Sequence, residues 1–229
     1  MKETASPAVE ASSSSSESIS IAGSEGYQFS DGTTIKKGED YWFKCEKISW
    51  RVLSSADGNY SLVSEKTLNG STYDSDSNNY ADSEIRAWLN NGFLCSAFSF
   101  GASDLLQETE VDNSPASTRS STNPYCCDDT SEFVFLPSNK EVLDETVYLT
   151  SAYRIAVATD YARAVGVYCD SDPERASYGS YYWTRSPDES VKDAATSVHA
   201  MNPYGDGVVY CYVNQRKYGV RPAVNIKVS

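Results

Sequence analysis

The chain is nearly without histidine: His199 is the only one among its 229 residues. A single histidine cannot supply the three-histidine zinc sites, the two-histidine iron sites or the paired ligands of the H-E-x-x-H zinc hydrolases. Histidine-based metal enzymes are therefore nearly excluded as a class, and we expect no cofactor.

Positive charge is scarce as well. Lys and Arg number 19 against 32 Asp and Glu, which gives a net charge of −13. Nucleic-acid binding needs clustered Lys and Arg to pair with phosphates, so this balance argues against a nucleic-acid partner. No apolar run approaches the ~18 residues that a membrane-spanning helix needs. We expect a monomer with no transmembrane segment.

The common zinc-binding and thioredoxin-like cysteine spacings are missing, because no C-x-x-C occurs. The six cysteines permit many alternative disulfide connectivities. A domain of about 200 residues can bury a core without disulfides, so the sequence leaves open whether these thiols pair.

Residues 1–26 contain no aromatic side chain, while nine of them are Ser and four are Glu. Such a segment cannot bury enough apolar surface to offset the entropy cost of ordering it. It is either a disordered cytosolic tail or a linker that followed a lipoprotein signal, since removed. We favour the linker, which places the protein outside the cell or on its surface, and we expect one binding domain over residues 27–229.

The remaining sequence predicts an α+β domain, because strand-like segments flank a helical centre without β-α-β alternation. Asp82 or Ser83 caps a first amphipathic helix that Gly92 is predicted to end. A capping box at Ser138 opens another helix, and a further helix covers residues 159–165.

Five segments stand out by their order and spacing: Ile48–Leu53, Ser83–Asn90 with the nearby Phe93–Leu94 and Ala97–Ser99, Val134–Ser138, Tyr182–Pro187 and Tyr218–Val224. Together they resemble one uncharacterised bacterial family of secreted proteins. The closing pair, W-x-R-S followed by G-V-R-P, also resembles the end of the C-type-lectin-like domains related to formylglycine-generating enzymes. The resemblance implies a single C-type-lectin-like domain with short strands, few short helices and recognition loops in its final section.

Four residues of that closing pair are Trp183, Arg185, Gly219 and Arg221. Trp183 and Arg185 are two apart on a predicted strand, so they share one face. A buried arginine needs a carboxylate or carbonyl partner. We interpret the four residues as a structural clasp, with ligand contact as the alternative.

Tyrosine is concentrated in the final section, where eight of the 17 tyrosines lie within residues 166–218. Rigid aromatic anchors beside small polar residues are typical of recognition surfaces, although tyrosine also half-buries readily on strands. We therefore predict non-catalytic binding of a protein or glycan ligand outside the cell. The candidate contact residues are Tyr178, Tyr181, Asp188, Asn202, Tyr204, Asp206, Tyr210, Tyr212, Asn214 and Arg216.

The resemblance implies a further property of this section. Proteins of this fold include targets of diversity-generating retroelements, whose adenine-directed mutagenesis turns Asn codons into codons for Tyr, Ser, Asp, Gly and His. The composition of residues 166–218 is compatible with such a variable protein.

The alternative function is an enzyme. In the resembling formylglycine-generating enzymes, catalysis needs reactive cysteines before the terminal glycine-arginine segment, and here only Cys211 lies between Trp183 and Gly219. A two-thiolate copper site cannot be built from one cysteine. A degenerate relative of those enzymes or a carboxylate-based hydrolase remains as the enzymatic alternative.

Asp74, Asp76 and Asn78 follow the D-x-D-x-N start of a calcium loop. Asn79 and Ile85 stand where an EF-hand requires Gly and Glu, so an EF-hand is excluded. The segment is either a polar turn before the first helix, which we favour, or a looser calcium site.

Overall fold

The computed structural model of the protein describes residues 28–36, 38–144, 154–167, 169, 179–198, 207–214 and 218–228. Residues 1–26, interpreted above as a linker, lie outside the described residues. Within these ranges, short strands and short helices follow one another without regular β-α-β units, so the domain is α+β as predicted. No helix of the described part is long and apolar enough to cross a bilayer.

The first sheet contains four strands: β1 (Trp50–Ala56), β2 (Asn59–Ser64), β4 (Leu106–Gln107) and β11 (Ala223–Lys227). They are antiparallel in the order β1-β2-β11-β4. The tight turn between β1 and β2 is formed by Asp57 and Gly58, which both have positive φ, 49° and 78°. Because β11 pairs with β2, the last strand of the domain extends the sheet that its first two strands form.

The second sheet contains five strands: β3 (Asn69–Gly70), β7 (Tyr182–Pro187), β8 (Ala194–Val198), β9 (Val208–Tyr212) and β10 (Gly219–Val220). Their order is β3-β10-β7-β8-β9, and β10 runs parallel to β7. The central strand β7 is buried along its whole length. A separate antiparallel pair is formed by β5 (Thr109–Val111) and β6 (Thr130–Glu132).

Short helices connect the strands: α1 (Glu84–Trp88), α2 (Leu94–Ala97), α3 (Phe100–Ser103), α4 (Asn139–Leu143) and α5 (Asp160–Ala164). Side-chain caps determine where several of them begin. Ser83 caps α1, Thr159 caps α5, and Ser138 forms the predicted capping box of α4 with Glu141.

The prediction that Gly92 ends the first helix is wrong. Gly92 does not adopt the left-handed conformation of a helix-ending glycine. Instead a π-helical turn, Leu89–Phe93, carries the chain from α1 into α2. The wider turn places both Leu89 and Phe93 in the core, and their burial stabilises it.

The largest hydrophobic cluster takes side chains from both sheets and from α1, including Leu62, Trp183 and Ile85. The Trp183 ring is fully buried, with its centroid 4.8 Å from that of Tyr218 and 5.5 Å from that of Tyr73. Because one cluster includes both sheets, the two sheets share a core.

Candidate functional site

Trp183 and Gly219 are buried residues of the parallel pair of β7 and β10, in which Gly219 pairs with Tyr182. The indole Nε1 of Trp183 donates to the carbonyl of Ser71 at 2.9 Å. A Cβ atom at Gly219 would clash with the Thr67 side chain and lie 2.8 Å from the carbonyl oxygen of Tyr181. Both residues therefore contact protein on all sides, which suits a structural role.

Arg185 joins β7 to α4 and is 3% exposed. Its Nη1 and Nη2 donate to Glu141 Oε2 and Oε1 at 2.6 and 2.9 Å, and Nη1 also donates to the Leu136 carbonyl at 2.8 Å. Burial opposes ionisation of Glu141. The charge and hydrogen bonds of Arg185 outweigh it, so the pKa of this carboxyl lies below its ordinary value.

Arg221 joins the two sheets and is 1% exposed. Its Nε donates to the Ser64 carbonyl at 2.9 Å, and its Nη1 donates to the Arg154 carbonyl and to the Tyr182 hydroxyl, both at 3.2 Å. The guanidinium carbon also lies 5.3 Å from the centre of the Tyr182 ring. Ser64 belongs to β2 and Tyr182 to β7, so this one side chain contacts both layers.

A cleft of about 530 Å³ opens beside β8 and β9. Its lining comes from residues 118–120 and 123, from the start of α4, from the end of β7 with the two residues after it, and from β8 and β9. Polar and apolar atoms contribute nearly equal surface to the cleft, and the aromatic contribution comes from β9. The polar lining includes Thr118, Ser120, Asn123, Asn139, Asp188 and Thr196, and Tyr210 supplies the aromatic ring.

Asn139 lies in the wall of this cleft and is 2% exposed. Its Oδ1 accepts hydrogen bonds from the hydroxyls of Thr196 at 2.8 Å and Thr184 at 3.3 Å, and its backbone N–H donates to Ser186 Oγ at 2.9 Å. Within the described part of the chain, its side-chain Nδ2 donates no hydrogen bond. Two threonine hydroxyls thus fix the Oδ1 side of this amide, while its Nδ2 keeps its capacity to donate.

Tyr210 lines the cleft, and Tyr212 is an exposed aromatic residue next to it on β9. They are 59% and 51% exposed and stand two apart on β9, so they share one face of the sheet. Tyr210 pairs with Thr196 across β8 and β9, and Thr196 also lines the cleft. The two rings therefore lie on the cleft side of the sheet.

The structure brings together only part of the predicted contact set. Asp188 and Tyr210 line the cleft, and Tyr212 and Asn214 are exposed next to it along the chain. Tyr181 is a core residue rather than part of an exposed face: it is 6% exposed and packs edge-on against Tyr218 at 5.7 Å. The other candidates, Tyr178, Asn202, Tyr204, Asp206 and Arg216, lie outside the described residues.

Sequence reasoning missed Asn139, Asn123 and Thr196. Asn123 belongs to a segment that reads only as a polar loop, yet its Nδ2 donates to the Pro187 carbonyl at 3.0 Å and holds that segment against the end of β7. Asn139 had one local signal, its place just after the N-cap of a capping box. Nothing in the local sequence indicates that the three residues meet.

The Asp74 carboxylate is used within the chain. Its Oδ1 accepts from the backbone N–H groups of Asp76 and Ser77, and its Oδ2 accepts from that of Glu84, each at 3.1 Å. The Asn78 side chain donates to two carbonyls beside β8, both at 2.9 Å. In the described ranges no three His, Cys, Asp or Glu side chains are grouped for a metal ion. These contacts are those of a polar turn before α1.

All six cysteines lie in the described ranges, and none of them forms a disulfide. Burial, together with the neighbouring Cys127, raises the pKa of Cys126 to about 11, and burial raises the pKa of Cys169 to about 11. Thiols with such pKa values stay protonated near neutral pH and are weak nucleophiles. His199 lies outside the described residues.

No curated protein and no solved structure matches the sequence. The sequence does match a family described as a domain of unknown function, DUF6273, over residues 57–228. The matched range begins at the turn between β1 and β2 and includes the whole cleft with Arg185 and Arg221. The chain therefore belongs to the DUF6273 family.

Proposed function

We propose that this domain is a non-catalytic ligand-binding module that takes a protein or glycan ligand into the cleft beside β8 and β9. The observation that carries the proposal is Asn139. Its amide is buried and fixed by two threonine hydroxyls, while its Nδ2 is left as a donor at the cleft wall. Asn113 Oδ1 is the one fully buried side-chain polar atom without a partner in the described ranges, so Asn139 Nδ2 keeps contact with solvent. A ligand acceptor can therefore replace water at this donor.

The rest of the lining supports recognition. Exposed Tyr210 supplies large, stiff aromatic area at low entropy cost, with Tyr212 beside it on β9, and Asn123, Ser120 and Thr118 supply short polar groups. This combination suits a ligand that presents both apolar surface and hydrogen-bonding groups.

The scaffold beneath the cleft is rigid, which favours binding. Arg185 of β7 holds α4 in place through its bonds to Glu141. Two lining residues of the cleft come from these elements, Asn139 from α4 and Pro187 from β7. A preorganised site loses less entropy when its ligand binds.

The proposed fold within the α+β class is a C-type-lectin-like domain. A C-type-lectin-like domain of the formylglycine-generating-enzyme subgroup would place its recognition loops around the final strands, where the cleft lies. Display on the cell surface through a lipoprotein linker fits residues 1–26. Diversification by a retroelement would act on the final section, which contains Tyr210 and Tyr212.

The test is a binding screen with labelled protein on a glycan array and on an array of extracellular protein domains. Every ligand found is measured again with Tyr210→Ser, which removes the exposed ring at the cleft. Tyr161→Ser is the matched control, because Tyr161 is also an exposed tyrosine but lies on α5, outside the cleft lining.

We expect Tyr210→Ser to weaken binding at least about tenfold and Tyr161→Ser to leave it unchanged, since a few central aromatics carry most binding energy. Equal effects of the two substitutions, or a ligand that the protein converts chemically, would contradict the proposal.

A further inference from the structure

Glu141 and Arg185 border a second groove, separate from the cleft described above. Its inner hollow has a volume of about 230 Å³ and contains Glu141, Arg185, Phe135 and Asp112 in its lining. A shallower outer hollow of about 570 Å³ continues from it over the first sheet. The two hollows share residues of β1, β2, β5 and β11, so they form one continuous path.

The floor of the inner hollow is apolar. Phe135 and Val111 are buried, and Leu53 is half-buried beside them. Glu110, an exposed residue, and Glu141, whose carboxylate accepts from Arg185, also line the hollow. Apolar side chains together with acidic residues in one hollow match a side chain that has an aliphatic stem and a cationic end.

The charges that line the groove are unbalanced. Four carboxylates contribute to it, and Arg185 is the one cation among the described lining residues. That cation already donates two hydrogen bonds to Glu141. The remaining carboxylates, Glu108, Glu110 and Asp112, are exposed and give the groove an excess of negative charge.

A row of hydrogen-bonded side chains crosses the floor between the two hollows. Ser61 Oγ donates to Asn225 Oδ1 at 2.7 Å, and Asn225 Nδ2 donates to Thr109 Oγ1 at 3.0 Å. Thr109 Oγ1 donates onward to the Gln107 carbonyl at 3.1 Å. These groups lie across the path at a fixed position, where the amides of an extended chain can hydrogen-bond to them.

We propose that this groove binds an extended peptide segment of a protein partner and takes one of its lysine or arginine side chains into the inner hollow. The cationic end contacts Glu110 and Asp112 beside the Glu141–Arg185 pair, and the stem packs on Phe135. The peptide backbone passes over Ser61, Asn225 and Thr109 into the outer hollow. A small amine would fill the inner hollow alone and leave the outer one empty, which is why we assign a peptide.

The experiment titrates the full ¹⁵N-labelled chain with the capped pentapeptide acetyl-Gly-Ala-Lys-Ala-Gly-amide and follows backbone amide resonances by NMR. The matched ligand carries Nε-acetyl-lysine, which keeps the stem and removes the charge. We expect saturable shifts at Ser61, Glu110 and Asn225 with the lysine peptide and none with its acetylated form. Added salt should weaken the binding, because exposed charges are screened.

A protein variant tests the same contacts. Glu110→Gln combined with Asp112→Asn keeps the shape of both exposed side chains and should weaken the lysine peptide about tenfold. Asp104→Asn is the control, because it removes negative charge from an exposed residue outside the groove. It removes one unit of charge where the double variant removes two, and it should leave the affinity unchanged.

Three results would overturn the proposal. They are the absence of a saturable shift in the groove, equal binding of the lysine and acetyl-lysine peptides, and a loss of affinity per charge removed that is as large for Asp104→Asn as for the double variant. Displacement of the peptide by a lower concentration of spermidine would instead assign the groove to a polyamine and also overturn it. The comparison of the two peptides uses the unaltered protein, so it stands whether or not the double variant folds.

Discussion

Asn139 and Glu141 are two residues apart on α4, yet they border different sites. Asn139 lines the cleft beside β8 and β9, and Glu141 lines the inner hollow of the second groove. Both are held by β7, since Asn139 N–H donates to Ser186 Oγ and Arg185 donates to the Glu141 carboxylate. The contact between α4 and β7 therefore separates the two sites. The hydrogen bonds of this contact hold lining residues of both sites in place.

Arg221→Ala should destabilise the domain by roughly 2–4 kcal/mol, because the buried Ser64 carbonyl and the Tyr182 hydroxyl lose a donor. The Arg154 carbonyl also loses Arg221 but keeps the Tyr182 hydroxyl as a donor. Urea denaturation measures this loss. The control is Arg51→Ala, which removes an ion pair with Glu65 near the surface and should cost no more than about 1 kcal/mol. An unchanged midpoint for Arg221→Ala would show that the bonds between the sheets contribute nothing.

Gly219→Ala should lower the melting temperature, since the added methyl group collides with Thr67 and the Tyr181 carbonyl, at a cost of roughly 1–3 kcal/mol. The matched substitution is Gly101→Ala in α3, where nothing lies within 4 Å of the added atom. It should be neutral or stabilise by up to about 1 kcal/mol, because alanine favours a helix. A thermal melt in which both variants behave alike would refute the close packing of β10 on β7.

The pKa of Glu141 makes stability depend on pH. The folded pKa lies below the ordinary value of 4.5, so on acidification the unfolded chain takes up the proton first. The stability from the Arg185 pair is complete above that ordinary value and is lost as the pH falls through the lower, folded pKa. Denaturation at a series of pH values should show the difference between wild type and Glu141→Gln shrinking below about pH 5. A difference that is constant with pH would contradict this account.

Local signals in the sequence were enough to predict where several helices begin. Ser138 and Glu141 form a capping box whose two hydrogen bonds join residues three apart, and Ser83 and Thr159 cap their helices in the same local way. Trp183 and Arg185 were correctly placed on one strand, β7, for the same reason: strand alternation depends on neighbouring residues only.

Features that depend on packing between distant segments were not predictable. Gly92 continues a helix because Leu89 and Phe93 are both buried by the rest of the domain, which no local pattern shows. Tyr181 has the composition of a recognition residue but packs in the core against Tyr218. The cleft depends on the meeting of Asn139 and Thr196, which only the pairing of β7 with β8 and the docking of α4 bring together.

Calcium should have little effect on the domain. The Asp74 carboxylate already accepts three backbone hydrogen bonds, so an added ion gains little by binding there. Millimolar calcium should leave the melting curve unchanged, because an ion that does not bind the folded state cannot stabilise it. A rise of several degrees that Asp76→Ala abolishes would establish a calcium site instead.

The most direct test of the proposed cleft is the NMR signal of the Asn139 side-chain amide. Its resonances can be assigned by their loss in Asn139→Asp, which keeps Oδ1 as an acceptor for Thr196 and replaces the donor. A ligand from the binding screen should shift these resonances saturably, with the same affinity that other methods give, because its acceptor bonds to Nδ2. A ligand that binds without moving them would contradict the central role of Asn139.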